Sequence, residues 1–207
     1  MKNAWVALAL LALCGCGVRR VPGNILDKLP YEAKIELLEA ENDLALAVDR
    51  LDESKAEVSR ARDQIRRAKD RLDAARREVS SAADQISKDV AELAVTEAEA
   101  RVEWLRAKQK VNVREQDLSE RNLTCAMARY EQARLGAARK AKLEGSESLD
   151  PAAFEQQVKD CEAKYAELKE EAKATAGEAE AVRAEWEKSR SALAKKTFDA
   201  RASPFVE

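Results

Sequence analysis

Histidine is absent from this 207-residue chain, and aromatic residues make up only 4% of it. A chain without histidine lacks the commonest metal ligand and the side chain that titrates nearest neutrality. No glycine-rich phosphate loop or nucleophile elbow occurs either. These gaps argue against an enzyme and leave no expected cofactor, metal site or small-molecule substrate. Charge of one sign is also missing in net terms, with 37 Lys and Arg against 39 Asp and Glu. Such a balance gives no global pull towards nucleic acid. A transmembrane helix needs about 20 consecutive apolar residues, and the most apolar run, Ala4 to Leu13, has ten.

The most informative gap is that of the helix breakers. Glycine and proline are missing from residues 31 to 135, a stretch of 105, while Pro22, Gly23 and Pro30 precede it and Gly136, Gly145 and Pro151 follow it. Ala, Glu, Lys, Leu and Arg dominate, the composition of long helices rather than of a thick-cored globule. The expected fold class is all-α: a long coiled-coil helix over residues 31–135, a connection at 136–150, and a shorter antiparallel return helix at 151–200. Residues 16–30 read as a tether and 201–207 as a tail. One continuous helix of 105 residues would reach about 160 Å, and its apolar stripe would need covering, since propensity alone does not hold up such a length.

That stripe is regular. Leu37, Leu44, Leu51, Val58, Ile65, Leu72, Val79, Ile86 and Leu93 recur at steps of seven, position a of a heptad. Position d holds Ala40, Ala47, Ser54, Ala61, Ala68, Ala75 and Ala82, small residues that let helix axes approach closely. After Leu93 the large residues restart at Trp104, a four-residue insertion of the kind that locally unwinds a supercoil. The return helix opens with Asp150 as N-cap and Pro151 in its first turn, each in its favoured place.

The return helix is long enough to cover about residues 86 to 142. Leu37, Leu44, Leu51, Val58, Ile65, Leu72 and Val79 are then expected to form an oligomer or partner seam, because an exposed stripe of that size is unusual on a monomer. Residues 31–53 carry eight acidic and two basic side chains, and residues 55–77 carry nine basic and four acidic. A parallel homodimer would oppose like charges at several flanking positions. The basic block reads by default as a solvated helix face.

The N-terminus resembles a bacterial lipoprotein precursor. Lys2 and the apolar run Ala4 to Leu13 have the form of a secretory signal, and Leu13-Cys14-Gly15-Cys16 matches the Leu-x-Gly-Cys lipobox of that family. The resemblance implies removal of residues 1–15 and lipidation of Cys16, with Cys14 leaving in the signal. The mature chain would carry 36 basic and 39 acidic residues, a net of −3. Several acyl chains on one residue anchor a protein that one chain would not hold. Gly17, rather than Asp, after the cysteine implies the outer membrane, facing the periplasm.

An oxidising periplasm bears on the other two cysteines. In an antiparallel register where residue numbers across the helix pair add to 286, Cys125 faces Cys161 and is a candidate disulfide. In a register one heptad further on, Cys125 lies opposite Leu168 and both cysteines are small core residues. The expected function is that of a lipid-anchored, periplasm-facing coiled-coil structural or scaffold protein of the cell envelope, a homo-oligomer or bound to an envelope protein through residues 37–85. The alternative is an adaptor subunit of a trans-envelope transport or motility complex that docks through its helical hairpin.

Overall fold

The computed structural model describes residues 17–198 and contains no strand among them. The helices are α1 (Gly23–Leu26), α2 (Tyr31–Glu36), α3 (Leu38–Ser81), α4 (Gln85–Lys140) and α5 (Pro151–Thr197), with a 3-10 turn at Ser146–Ser148 before α5. The chain is an all-α helical hairpin in which α3 and α4 pack on each other and on α5.

The expected single helix over 31–135 is divided. It ends at Ser81, turns through residues 82–84 and resumes in the opposite direction as α4. The reversal uses neither glycine nor proline. Ser80 and Ser81 donate their hydroxyls to the carbonyls of Arg76 and Glu78, both at 3.3 Å, local bonds that compete with helix continuation. Asp84 then caps α4. Its Oδ1 accepts the Ser87 N–H at 2.8 Å and its carbonyl accepts the Lys88 N–H at 3.0 Å, satisfying two of the orphan amides of a helix start. The same bond to Ser87 holds the Asp84 carboxyl below its ordinary pKa.

The chain divides into two compact units. The first holds residues 17–46 and Leu123–Ala163. Its core joins Val21, Ile25, Leu26, Leu29, Ala33 and Leu37 to Leu135, Ala138 and Phe154. Residues 17–30 are therefore not a loose tether. Four large apolar side chains bury themselves there, each worth about 1.5–3 kcal/mol when fully removed from water. The backbone is pinned as well, with the Val21 N–H on Oε2 of Glu131 at 2.8 Å and the Arg19 N–H on Oε1 of Gln157 at 2.6 Å. Acidic side chains of α2 and α3 meet α4: Glu36 of α2 pairs with Lys140, and Glu41 of α3 accepts the Tyr130 hydroxyl at 2.9 Å.

Helix α4 runs through Gly136 to Lys140 and closes with a two-bond C-cap. The Leu143 N–H reaches the Ala138 carbonyl and the Lys142 N–H reaches that of Arg139, with Lys142 in the left-handed region at φ 53°. This is the Schellman arrangement. Asp150 caps α5, its Oδ1 taking the Ala152 N–H at 3.0 Å.

The second unit holds Ala47–Asn122 and residues 164–198. Nine residues of α3 are buried: Ala47, Leu51, Ser54, Val58, Ala61, Ile65, Ala68, Leu72 and Ala75. All belong to the a and d positions of the heptads. Ile65, Ala68 and Leu72 form one cluster with Ala98, Val102 and Leu105 of α4. Arg76 reaches Glu99 at 2.8 Å, and the Asn112 side chain donates to the Glu57 carbonyl at 3.3 Å. Helix α5 passes α4 antiparallel, with Arg114–Glu171 at 3.7 Å and Lys196–Asp89 at 3.9 Å.

Candidate functional site

The lipidation residue expected from the sequence, Cys16, lies outside the described residues. The expected seam is described throughout. Leu37, Leu51, Val58, Ile65 and Leu72 are buried, and Leu44 and Val79 are half-buried. The expectation that residues 37–85 find no cover in their own chain is thereby corrected. The turn at 82–84 sends α4 back along the stripe, so the chain supplies the helix that a second molecule was expected to bring. The apolar register ends at the turn, where Ile86 is exposed.

Cys125 and Cys161 are joined, with an S–S distance of 2.07 Å and Cα atoms 5.4 Å apart. Both are buried. The bridge ties α4 to α5 in the first unit.

In the second unit one cluster escaped sequence reasoning. Trp104 of α4 stacks on Trp186 of α5, with ring centroids 4.7 Å apart and planes within 2°. The Arg101 guanidinium carbon lies 4.5 Å and 4.3 Å from the two ring centres. Glu97 is fully buried, and its Oε1 accepts the Trp186 indole N–H at 2.6 Å. The register that set Cys125 opposite Cys161 placed Ala100 against Trp186 and Trp104 against Val182. The long indoles reach one turn along the helix to meet instead. Glu97 and Arg101 are charged residues spaced i, i+4 between small apolar positions, a pattern ordinarily read as a solvated face.

The first unit carries an apolar groove of about 380 Å³. Leu26, Leu29 and Leu37 are its buried residues, Tyr31, Ile35 and Leu38 are exposed at 74%, 48% and 57%, and Lys34, Glu41, Tyr130 and Arg134 complete the lining. Burial and then the bond to Glu41 raise the Tyr130 phenol above its ordinary pKa. The Arg134 guanidinium lies over the Tyr130 ring at 5.2 Å. No group of three or more potential metal ligands occurs among the described residues. No described helix is long and apolar enough to cross a membrane.

The features in hand define an all-α, disulfide-linked helical hairpin with a polar outer surface. The chain matches no known family model, curated protein or solved structure.

Proposed function

We propose that the protein is a lipid-anchored, periplasm-facing structural or scaffold protein of the cell envelope, held in the outer membrane through Cys16. The buried Cys125–Cys161 bridge carries this reading. A buried inter-helix disulfide suits an oxidising compartment, while Lys2 with Ala4 to Leu13 supplies the export signal and Leu13-Cys14-Gly15-Cys16 the anchor. Long charged helices without a catalytic constellation suit a scaffold. Since the a/d seam is occupied within the chain, contacts with envelope partners fall to the outer helix faces. The adaptor reading has less support. Its expected docking tip, the connection between α4 and α5, is covered where Ile25 sits against Gly145, so docking would fall to the exposed turn at 82–84.

The test follows radiolabelled fatty acid in cells producing the full chain. Label should enter the wild type and a Cys14→Ser variant and be lost from Cys16→Ser, which should accumulate as the unprocessed precursor with residues 1–15 still attached. An unlabelled wild type, with Cys125 and Cys161 recovered as free thiols, would overturn the proposal.

A further inference from the structure

Residues 31–38 carry two apolar stripes. Ala33 and Leu37 face the core, as their heptad positions require. Tyr31, Ile35 and Leu38 form a second stripe at i, i+4 and i+7, and they face water. The heptad has no use for these positions, and the stripe stops there, with Asn42 and Ala45 next in phase. Three large apolar side chains in one exposed row over a groove call for an occupant.

The chain itself indicates which. Gly17 is the first described residue and follows Cys16 directly. Val21 lies five positions beyond Cys16, a reach of at most about 18 Å. Val21 is bonded to Glu131, Glu131 to Arg134, and Arg134 lines the groove over the Tyr130 ring. An acylated Cys16 would hold this wall close to the bilayer. Lys34 and Glu41 both line the groove, and exposed Glu32 and Glu39 flank the row on α2 and α3, so charge does not draw it to the bilayer and the contact rests on the apolar side chains and the nearby anchor. Tyrosine is a residue of the membrane interface.

We propose that α2 and the first turn of α3 rest on the bilayer, with Tyr31, Ile35 and Leu38 entering the acyl boundary as a second attachment beside the anchor. This rests on the lipoprotein reading. Because several acyl chains already suffice for attachment, the second contact orients the first unit rather than retaining it.

The test uses the full acylated chain in vesicles of phosphatidylethanolamine and phosphatidylglycerol. Ile35→Cys, Leu38→Cys and, as control, Ala174→Cys on an exposed part of α5 away from the Arg19–Gln157 contact each carry a bimane probe, read against lipids bearing nitroxide just below the headgroup. Quenching at positions 35 and 38 should exceed that at 174 several-fold. Equal quenching at all three, with Cys16 shown acylated by mass spectrometry, overturns the membrane contact and leaves the lipoprotein reading standing. Unacylated Cys16, with the protein free of vesicles, overturns both. Disulfide-linked dimers formed on oxidation of the unlabelled Ile35→Cys protein, with no quenching of the labelled one, mean that a second copy covers the groove, and also overturn the membrane contact.

Discussion

Trp186 donates its indole N–H to Glu97 at 2.6 Å, inside a cluster closed by the stacked ring of Trp104 and the guanidinium of Arg101. This is the one place in the second unit where a carboxylate is wholly removed from water among the described residues. Alanines occupy much of the neighbouring α4 face, at 91, 94 and 98, and small apolar residues fit one another in several registers. The Trp–Glu bond fits one. It sets the alignment of α5 on α4 where apolar packing alone is permissive.

Glu97→Ala should therefore destabilise the protein strongly, by about 3 kcal/mol, the scale for removing one partner of a buried charged group. It leaves a buried indole N–H with no acceptor beside a buried guanidinium. Glu97→Gln keeps an acceptor and should lose less. Chemical denaturation followed by circular dichroism gives both values. The near-ultraviolet signal of the Trp104–Trp186 stack reports whether the register survives. A Glu97→Ala variant as stable as wild type would remove the cluster from any role in alignment.

The burial of the heptad stripe predicts behaviour opposite to that of an intermolecular coiled coil. The chain from Cys16 to Glu207 should melt at a temperature independent of its concentration, since no second copy is coupled to folding. Leu72→Ala should cost about 2–5 kcal/mol without changing the molecular mass in solution. Light scattering and calorimetry over a hundredfold range of concentration check both. A melting temperature that climbs with concentration would show that the stripe is shared between chains.

How far the sequence could be read is clear from these two regions. The a/d positions from Leu37 to Ala75 were legible because a seven-residue repeat records which face is buried, and α3 buries that face. The repeat does not record which helix covers it. The reversal at 82–84 was illegible by breaker residues because there are none. Its traces were Ser80, Ser81 and Asp84, side chains that bond locally to backbone, while the seven-residue spacing gave no sign of it, since Ile86 and Leu93 continue that spacing across the turn into α4. Residues 17–30 were misjudged for a related reason. Pro22, Gly23 and Pro30 do break long helices there, yet Val21, Ile25, Leu26 and Leu29 still find a core. The apolar row Tyr31, Ile35 and Leu38 spans only two turns, and the longer a/d stripe running beside it masks so short a pattern.

The disulfide should contribute about 4 kcal/mol on the chain-entropy account, given its separation of 36 residues. Replacing both cysteines, as Cys125→Ala with Cys161→Ala, avoids burying a lone thiol and should lower stability by that amount while helix content holds. Equilibrium urea unfolding of the double variant against oxidised wild type measures it. Wild type in reductant should fall towards the variant, and a variant equal to oxidised wild type would show the bridge to be idle.

Alkaline pH should loosen the first unit through Tyr130. Its phenol pKa is raised, first by burial and then by its hydrogen bond to Glu41. A raised folded value means that the contribution is whole below the unfolded value of about 10 and is lost as pH rises through the folded one. Stability should decline in that alkaline window, and Tyr130→Phe should flatten the decline while giving up the bond to Glu41 at neutral pH. Urea midpoints at closely spaced pH values test the sign. An equally steep decline in Tyr130→Phe would assign it to other groups.

The connection between α4 and α5 allows a prediction of opposite signs three residues apart. Lys142 and Gly145 both lie at positive φ, 53° and 88°. A side chain in that region costs about 1–2 kcal/mol relative to glycine, so Lys142 occupies, at some expense, the C-cap position where glycine is usual. Lys142 is exposed, so Lys142→Gly should stabilise the protein by up to about 1 kcal/mol, the gain in the folded state being partly offset by a freer unfolded chain. Gly145→Ala should do the reverse and more. Its Cβ would stand 3.3 Å from Cδ1 of Ile25, so strain in the turn adds to displacement of a side chain that packs residues 17–30 into the core. Ile25→Ala made together with Gly145→Ala should recover part of the second loss and none of the first, which separates crowding from backbone strain. Denaturant midpoints of the single and double variants give each term. If Lys142→Gly proved destabilising, the left-handed C-cap of α4 would be wrong.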